Sequence, residues 1–269
     1  MTTSPYLVKP GSRLSLSKID PNDSGSWVDK ATAKSALSKV RDRIEELQER
    51  LYAEHKQSLL VVLQATDTGG KDGAIRGVFE GINPQGVRVQ AFKQPSPDEL
   101  DHDFLWRIHQ QVPGKGMITI FNRSHYEDVL VVRVKKLVPK QVWSERYEAI
   151  NDFERQLNRN GTRVIKFYLH ISRDEQKERL QARLDDPTKT WKFNSGDLGD
   201  RELWDDYQLA FRDAIVKCST DIAPWYVIPS NRKWARDIAI AEIVLKTLEE
   251  MNPQFPPPEE GLESIVISD

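Results

Sequence analysis

Residues 59–75, Leu-Leu-Val-Val-Leu-Gln-Ala-Thr-Asp-Thr-Gly-Gly-Lys-Asp-Gly-Ala-Ile, constrain the fold more than any other stretch. Leu59 to Leu63 is aliphatic with no polar alternation, which predicts a strand buried on both faces. The run breaks into a loop ending Gly69-Gly70-Lys71, and helix-compatible sequence follows. Strand, glycine loop, lysine and helix together make an anion cradle. Backbone N–H groups and the helix N-terminus face the anion, and the lysine adds a full charge. The fit to the formal phosphate-loop pattern is incomplete. Ala65 stands at the first glycine position and Asp72 where a metal-ligating hydroxyl is usual. The competing reading, a Gly-Gly-Lys turn between a core strand and a helix, needs no ligand.

Around this centre the chain alternates strand and helix. Residues 1–28 are polar and turn-rich and predict an N-terminal arm. From Asp29 to His55, residues Leu37, Val40, Ile44, Leu47 and Leu51 recur at spacings of three and four, one apolar helical stripe for the sheet or for a partner subunit. Further strands are expected at 87–92, 117–121, 164–171 and 225–228. Helices are expected at 73–83, 96–111, 144–160, 172–184, 201–219 and 234–251. Ser96-Pro97-Asp98-Glu99 and Ser172-Arg173-Asp174-Glu175 both carry a capping-box signature. Residues 185–200 read as a mobile excursion and residues from 252 as a proline-rich tail. Five strands alternating with helices predict an α/β fold, a parallel sheet covered on both faces. One domain over 29–251 is expected, with a lid at about 172–219.

Bulk properties remove several function classes. A net charge of −2 and a pI of about 6.3 argue against a dedicated nucleic-acid binder. The single cysteine, Cys218, excludes an intramolecular disulfide or a cysteine-built zinc site, and a core position is its expected role. No apolar run approaches the roughly 20 residues that span a bilayer, and the N-terminus lacks signal-peptide features. A soluble, cytoplasmic protein is expected.

In an open parallel sheet, ligands bind beyond the carboxyl ends of the strands. The expected strand exits carry Asp67, Lys71 and Asp72, then Lys93 and Gln94, then Asn122 to Asp128. The fourth carries the basic helix with Arg173, Lys177, Arg179 and Arg183, and the fifth Arg232 and Lys233. Every exit delivers cations, and the first and third also deliver carboxylates. That mixture suits phosphate with Mg²⁺, because lysine and arginine take phosphate oxygens while carboxylates hold the hard cation. Phosphoryl transfer needs mainly alignment and charge neutralisation. Asn122 is uncharged where such enzymes place an aspartate, so Glu127 and Asp128 are the candidates for the missing charge. An acidic first helical turn would also explain that pair. Arg179, Arg183, Lys189 and Lys192 beside a glycine-containing segment read as a closing arm. Trp191 and Phe193 offer it a hydrophobic seat or a base-stacking surface. His102, His109 and His125 lack metal-like spacing and read as packed or surface histidines.

The loop 63–73, the stretch Asn83-Pro84-Gln85-Gly86-Val87 and the run Phe121-Asn122-Arg123-Ser124-His125-Tyr126-Glu127-Asp128-Val129-Leu130 closely resemble the second family of polyphosphate kinases. Trp191-Lys192-Phe193, Trp204-Asp205-Asp206-Tyr207 and Ala223-Pro224-Trp225-Tyr226 extend the resemblance over about residues 30–250. It implies a phosphate-loop kinase-like three-layer sandwich with a helical lid. It also implies Mg²⁺-dependent transfer between inorganic polyphosphate and nucleotides, with Mn²⁺ as a substitute metal. The version with Asn122-Arg123 resembles the class that accepts both AMP and ADP. Guanine nucleotides are a further acceptor class, and a dimer or tetramer is the expected assembly.

Carried over residue by residue, Asp67 would orient the acceptor phosphate and metal, and Lys71 would bind the transferring phosphate. Arg123 would neutralise transition-state charge, and Glu127 with Asp128 would supply the metal carboxylates. Gly69, Gly70, Asp72 and Lys93 would join Arg179, Arg183, Lys189 and Lys192 in binding polyphosphate. The alternatives are an ATP-dependent nucleoside monophosphate kinase and a non-catalytic polyanion-binding module.

Overall fold

The computed structural model describes residues 4–194, 196–262 and 265–267. The outer ends of the expected arm and tail (1–3, 263–264 and 268–269) and Ser195 in the expected excursion lie outside the described residues. Six strands form one sheet: β1 (Leu7–Val8), β2 (Ser58–Gln64), β3 (Val87–Ala91), β4 (Ile118–Asn122), β5 (Thr162–His170) and β6 (Trp225–Pro229), in spatial order β1-β6-β5-β2-β4-β3. Strands β2 to β6 pair in parallel, as expected from five strands alternating with helices. The sixth strand is an addition. Two residues of the arm, Leu7 and Val8, pair antiparallel with Tyr226 and Trp225 and cover the β6 edge.

The helices are α1 (Lys30–Glu54), α2 (Lys71–Phe79), α3 (Pro97–Leu100), α4 (Trp106–His109), α5 (Val131–Val134), α6 (Lys140–Arg159), α7 (Arg173–Asp185), α8 (Gly196–Glu202), α9 (Trp204–Cys218) and α10 (Lys233–Met251). Strand β2 is buried along its whole length because helices lie on both sides of it. Leu59, Val61 and Leu63 enter the core shared with α1, α2 and α10. Leu60 and Val62 face the opposite core, built with α6 and α9. The period of two thus operates inside an unbroken apolar run. Leu37, Ile44, Leu47 and Leu51 of α1 pack on the sheet and α10, with Val40 at the margin, so the stripe is used within the chain. Cys218 is buried as expected.

Local chemistry explains where the elements depart from expectation. Ser96 and Glu99 make their reciprocal cap, yet the helix stops at Leu100 instead of reaching Gln111. Asp103 starts a new turn by accepting from the Leu105 N–H at 2.9 Å, so local side-chain bonding interrupts the helix. The segment expected at 201–219 is two helices broken at Leu203, and α6 begins at Lys140, directly after Pro139. No helix among the described residues is long and apolar enough to cross a membrane.

Candidate active site

Strand β2 lies between β4 and β5, so its two flanking connections leave in opposite directions and open a crevice beyond its carboxyl end. The loop 65–70 fills that crevice. Thr68 adopts φ 60° and Gly70 φ 95°. The left-handed conformation suits glycine but costs a β-branched residue roughly 1–3 kcal/mol, so surrounding contacts must hold Thr68 there. Arg179 Nη1 donates to the Thr68 carbonyl at 3.0 Å and Arg236 Nη1 to the Gly70 carbonyl at 3.1 Å. A Cβ at Gly70 would collide with Arg236 Nη1 and come within 3.3 Å of Arg179 Nη1. The loop is braced from outside by two guanidinium groups. Lys71 then begins α2, whose first-turn N–H groups have no carbonyl partner within the helix.

A cavity of about 530 Å³ lies against this loop. Asp67, Gly69, Gly70, Lys71, Asp72, Lys93 and Arg123 line it from the strand exits, and Arg179, Arg183, Lys189 and Lys192 from the basic helix and the segment after it. Its described wall carries nine lysines and arginines against three aspartates. Arg236 and Lys233 of α10 complete the cationic side. Arg236 escaped the sequence reading because it falls within the pattern of a long helix. It is only 2% exposed.

The expected closing arm divides in two. Arg179 is fastened to Glu175 (2.7 Å), Thr68 and the Ser230 carbonyl (2.7 Å), so it is a brace of the loop. Lys189 and Lys192 are exposed on the far wall. Arg183 donates to the Lys192 carbonyl at 3.2 Å. Trp191 is 77% exposed, its Nε1–H donates to the Thr188 carbonyl at 3.0 Å, and among the described residues its ring stacks on no other, so it does not seat the segment.

A second recess of about 100 Å³ meets the first at Asp67 and Arg123. Glu127, Lys135, Asp200, Trp204 and Tyr207 are among its walls. Arg123 stands between two carboxylates, 2.8 Å from Asp67 Oδ1 and 3.8 Å from Glu127 Oε2. Glu127 and then Asp67 raise the affinity of Arg123 for its proton, so the guanidinium stays charged. Burial, followed by the neighbouring Arg123 charge, pushes the Lys71 ammonium down to about 8. With its amide oriented to satisfy every partner, Gln64 donates to Glu127 Oε1 at 3.0 Å and accepts from the Ser124 N–H at 3.2 Å. Asn122 Nδ2 donates to Asp72 Oδ1 at 2.7 Å, so the uncharged residue at the β4 exit positions a carboxylate in the first turn of α2.

Asp128 is not brought to the cleft. Its Oδ1 accepts from Arg146 at 2.9 Å, outside the walls of both recesses, and burial pushes its carboxyl up to about 6. The 3-10 turn His125–Asp128 is the reason, since residues 127 and 128 of a tight turn point in different directions. Among the described residues no group of three or more histidine, cysteine or acidic side chains is gathered for a metal. Asp67 and Glu127 remain as two oxygen donors facing one cavity. That number suits Mg²⁺ held jointly by protein, water and substrate phosphate.

The model of a family described as Polyphosphate kinase 2 (PPK2) matches residues 27–256. The chain is 56% identical over 263 residues to an AMP/ADP-polyphosphate phosphotransferase of Meiothermus ruber, covering 97% of this chain and 98% of that protein. It is 39% identical to an ADP-polyphosphate phosphotransferase of Rhodopseudomonas palustris, covering 94% and 92%. The crystal structure of Polyphosphate Kinase 2 from Arthrobacter aurescens TC1 superposes with a TM-score of 0.93 at 44% identity, covering 97% and 95%.

Proposed function

The chain belongs to the polyphosphate kinase 2 family, and on that premise we propose that its cleft moves a terminal phosphoryl group between inorganic polyphosphate and AMP or ADP. The enzyme is a polyphosphate-dependent nucleotide phosphotransferase. The single observation that carries the assignment of sides is Arg123, held between Asp67 and Glu127 where the cationic cavity meets the smaller recess. Polyphosphate lies along the cationic cavity, whose nine positive side chains offset a long polyanion. The terminal phosphate of the nucleotide enters from the recess.

In the transfer, an oxygen of the nucleotide phosphate forms the new P–O bond as the terminal P–O–P bond of polyphosphate breaks. The shortened chain leaves with the electron pair and its negative charge. The acceptor has a second pKa near 6 and arrives largely ionised, so no strong base is needed. Lys71 and the first-turn N–H groups of α2 hold the transferring phosphate, and Arg123 offsets charge that spreads over its oxygens. Asp67 and Glu127 would hold Mg²⁺, or Mn²⁺ in its place. Held there, the metal would supply positive charge to offset that of the phosphates. Gln176 Nε2 donates to the Asp67 carbonyl at 3.2 Å, and with Arg179 it ties α7 to the loop. Closure therefore falls to the last turn of α7 and the segment after it, where Arg183, Lys189 and Lys192 reach the cavity. Residues 29–251 act as one catalytic unit.

The test is a donor exchange. Purified protein with Mg²⁺ and polyphosphate should convert AMP to ADP and ADP to ATP, while ATP in place of polyphosphate should support far slower conversion of AMP. Equal or faster transfer from ATP would identify a nucleoside monophosphate kinase instead. The same assay with GMP and GDP reads base preference, and light scattering in solution reads the expected dimer or tetramer.

A further inference from the structure

Lysine interrupts an apolar strand at the middle of β5, between Ile165 and Phe167, and its ammonium is fully buried. Lys166 Nζ pairs with Glu154 Oε2 of α6 and donates to the Tyr126 hydroxyl at 2.9 Å and the Cys218 carbonyl at 2.7 Å. Glu154 Oε1 accepts from that same hydroxyl at 2.9 Å and from His125 Nε2 at 3.2 Å. A carboxylate oxygen accepts, so His125 presents its Nε2–H to Glu154. Every charge and hydroxyl of the group is partnered. A buried ion pair of this kind adds little to stability compared with well-packed apolar residues. Its presence calls for another explanation.

The group closes on His125 and Tyr126, two of the three residues between Arg123 and Glu127. Arg123 itself is strained, with φ 65°, and is held by its N–H donating to the Leu63 carbonyl at 3.1 Å. From there the chain makes one 3-10 turn, Glu127 N–H to Ser124 carbonyl at 3.0 Å, before presenting Glu127 to the recess. Between the two, His125 and Tyr126 have no surface exposure and are pinned from below by Glu154 and Lys166.

We propose that Glu154 and Lys166 are positioning residues for phosphoryl transfer, acting through His125 and Tyr126 to set the separation of Arg123 and Glu127. This rests on the reading that Arg123 and Glu127 serve the transferring phosphate. The ion pair specifies one arrangement of the turn because each partner would otherwise be a buried, unsatisfied charge. An apolar pair would fill the space and leave the turn free to shift.

The test compares three variants in the polyphosphate-to-ADP assay, each with a thermal melt. Glu154→Leu with Lys166→Met removes both charges together, and Tyr126→Phe removes only the shared hydroxyl. Arg123→Ala reports on the site itself. The charge-pair variant leaves the Tyr126 hydroxyl, the His125 Nε2–H and the Cys218 carbonyl without these partners, so it should melt below the wild type yet fold, while kcat falls roughly 10- to 100-fold with KM for polyphosphate changed less than about twofold. Tyr126→Phe should show the same split with about a tenfold loss. Wild-type kcat in either folded variant, alongside an inactive Arg123→Ala, overturns the positioning role and leaves the site intact. Full turnover by Arg123→Ala overturns the site reading and this inference with it. Should the charge-pair variant fail to fold, Tyr126→Phe decides alone.

Discussion

Arg123 Nη2 donates to Asp67 Oδ1 at 2.8 Å, joining residues 56 positions apart in the chain at the meeting point of the two recesses. The pair offset each other's charge while no phosphate is bound. On the proposed function, an arriving phosphate would compete for Arg123 and leave Asp67 available to a metal. The two are therefore coupled. Arg123→Ala should lower kcat by about 10²–10³-fold, the loss typical when one preorganised donor to a charged transition state is removed. Asp67→Asn should fall as far, and the double variant should lose much less than the product, because each change already disables its partner. Steady-state kinetics on the four proteins measures the coupling.

Lys71 should make polyphosphate binding sensitive to alkaline pH. Its value of about 8 lies below the ordinary 10.5, so the ammonium deprotonates in the free enzyme as pH rises through 8. A phosphate bound beside it, as the proposed function has it, would restore the charge. kcat/KM for polyphosphate should thus decline above about pH 8 while kcat holds to higher pH. Lys71→Arg should remove the decline, even at reduced turnover. For stability the sign is opposite. The unfolded chain binds this proton more tightly, so between about 8 and 10.5 the lysine's contribution to stability rises with pH.

Gly70→Ala should damage both loop and brace. The position has φ 95°, and the new methyl would strike the Arg236 guanidinium. A stability loss of about 1–3 kcal/mol is expected from the backbone conformation. Turnover should fall more than tenfold as Arg236 is displaced from the Gly70 carbonyl. Gly81→Ala is the control, since it also has positive φ but open space around it. It should be destabilised and fully active. A melt and a progress curve for each separate strain from the brace.

Glu127 and Asp128 should part company in a magnesium titration. Glu127 faces the recess and Arg123, whereas Asp128 is turned to Arg146. Glu127→Gln should raise the Mg²⁺ concentration needed for half-maximal rate by roughly tenfold or more, the scale seen when a metal site loses a group. Asp128→Asn should leave that concentration unchanged and alter the melt instead. Its carboxyl titrates near 6, above the ordinary 3.8, so its ionisation disfavours the fold as pH rises between those values. The asparagine variant should flatten that part of the stability profile.

The architecture was legible because it follows from short-range patterns. An aliphatic run needs cover on both faces, period-four stripes need a helix, and Gly-Gly-Lys between them opens the cradle. Those relations reside in neighbouring residues. The cationic residues were legible too, because in a parallel sheet the strand exits converge on one edge. The two-residue strand of the arm was not, since Leu7-Val8 becomes a strand only against the free edge of β6. Nor was the separation of Glu127 from Asp128, adjacent in sequence but divided by a 3-10 turn whose shape depends on Ser124, Gln64 and the buried Glu154. Arg236 and Lys166 look like ordinary charges of a helix and a strand, and Arg179 reads as part of a closing arm. Only the packed molecule makes them the braces of the loop and the floor of the turn. A guanidinium that seeks a carbonyl 166 positions away in the chain is chosen by proximity in space, and local periodicity carries no record of that choice.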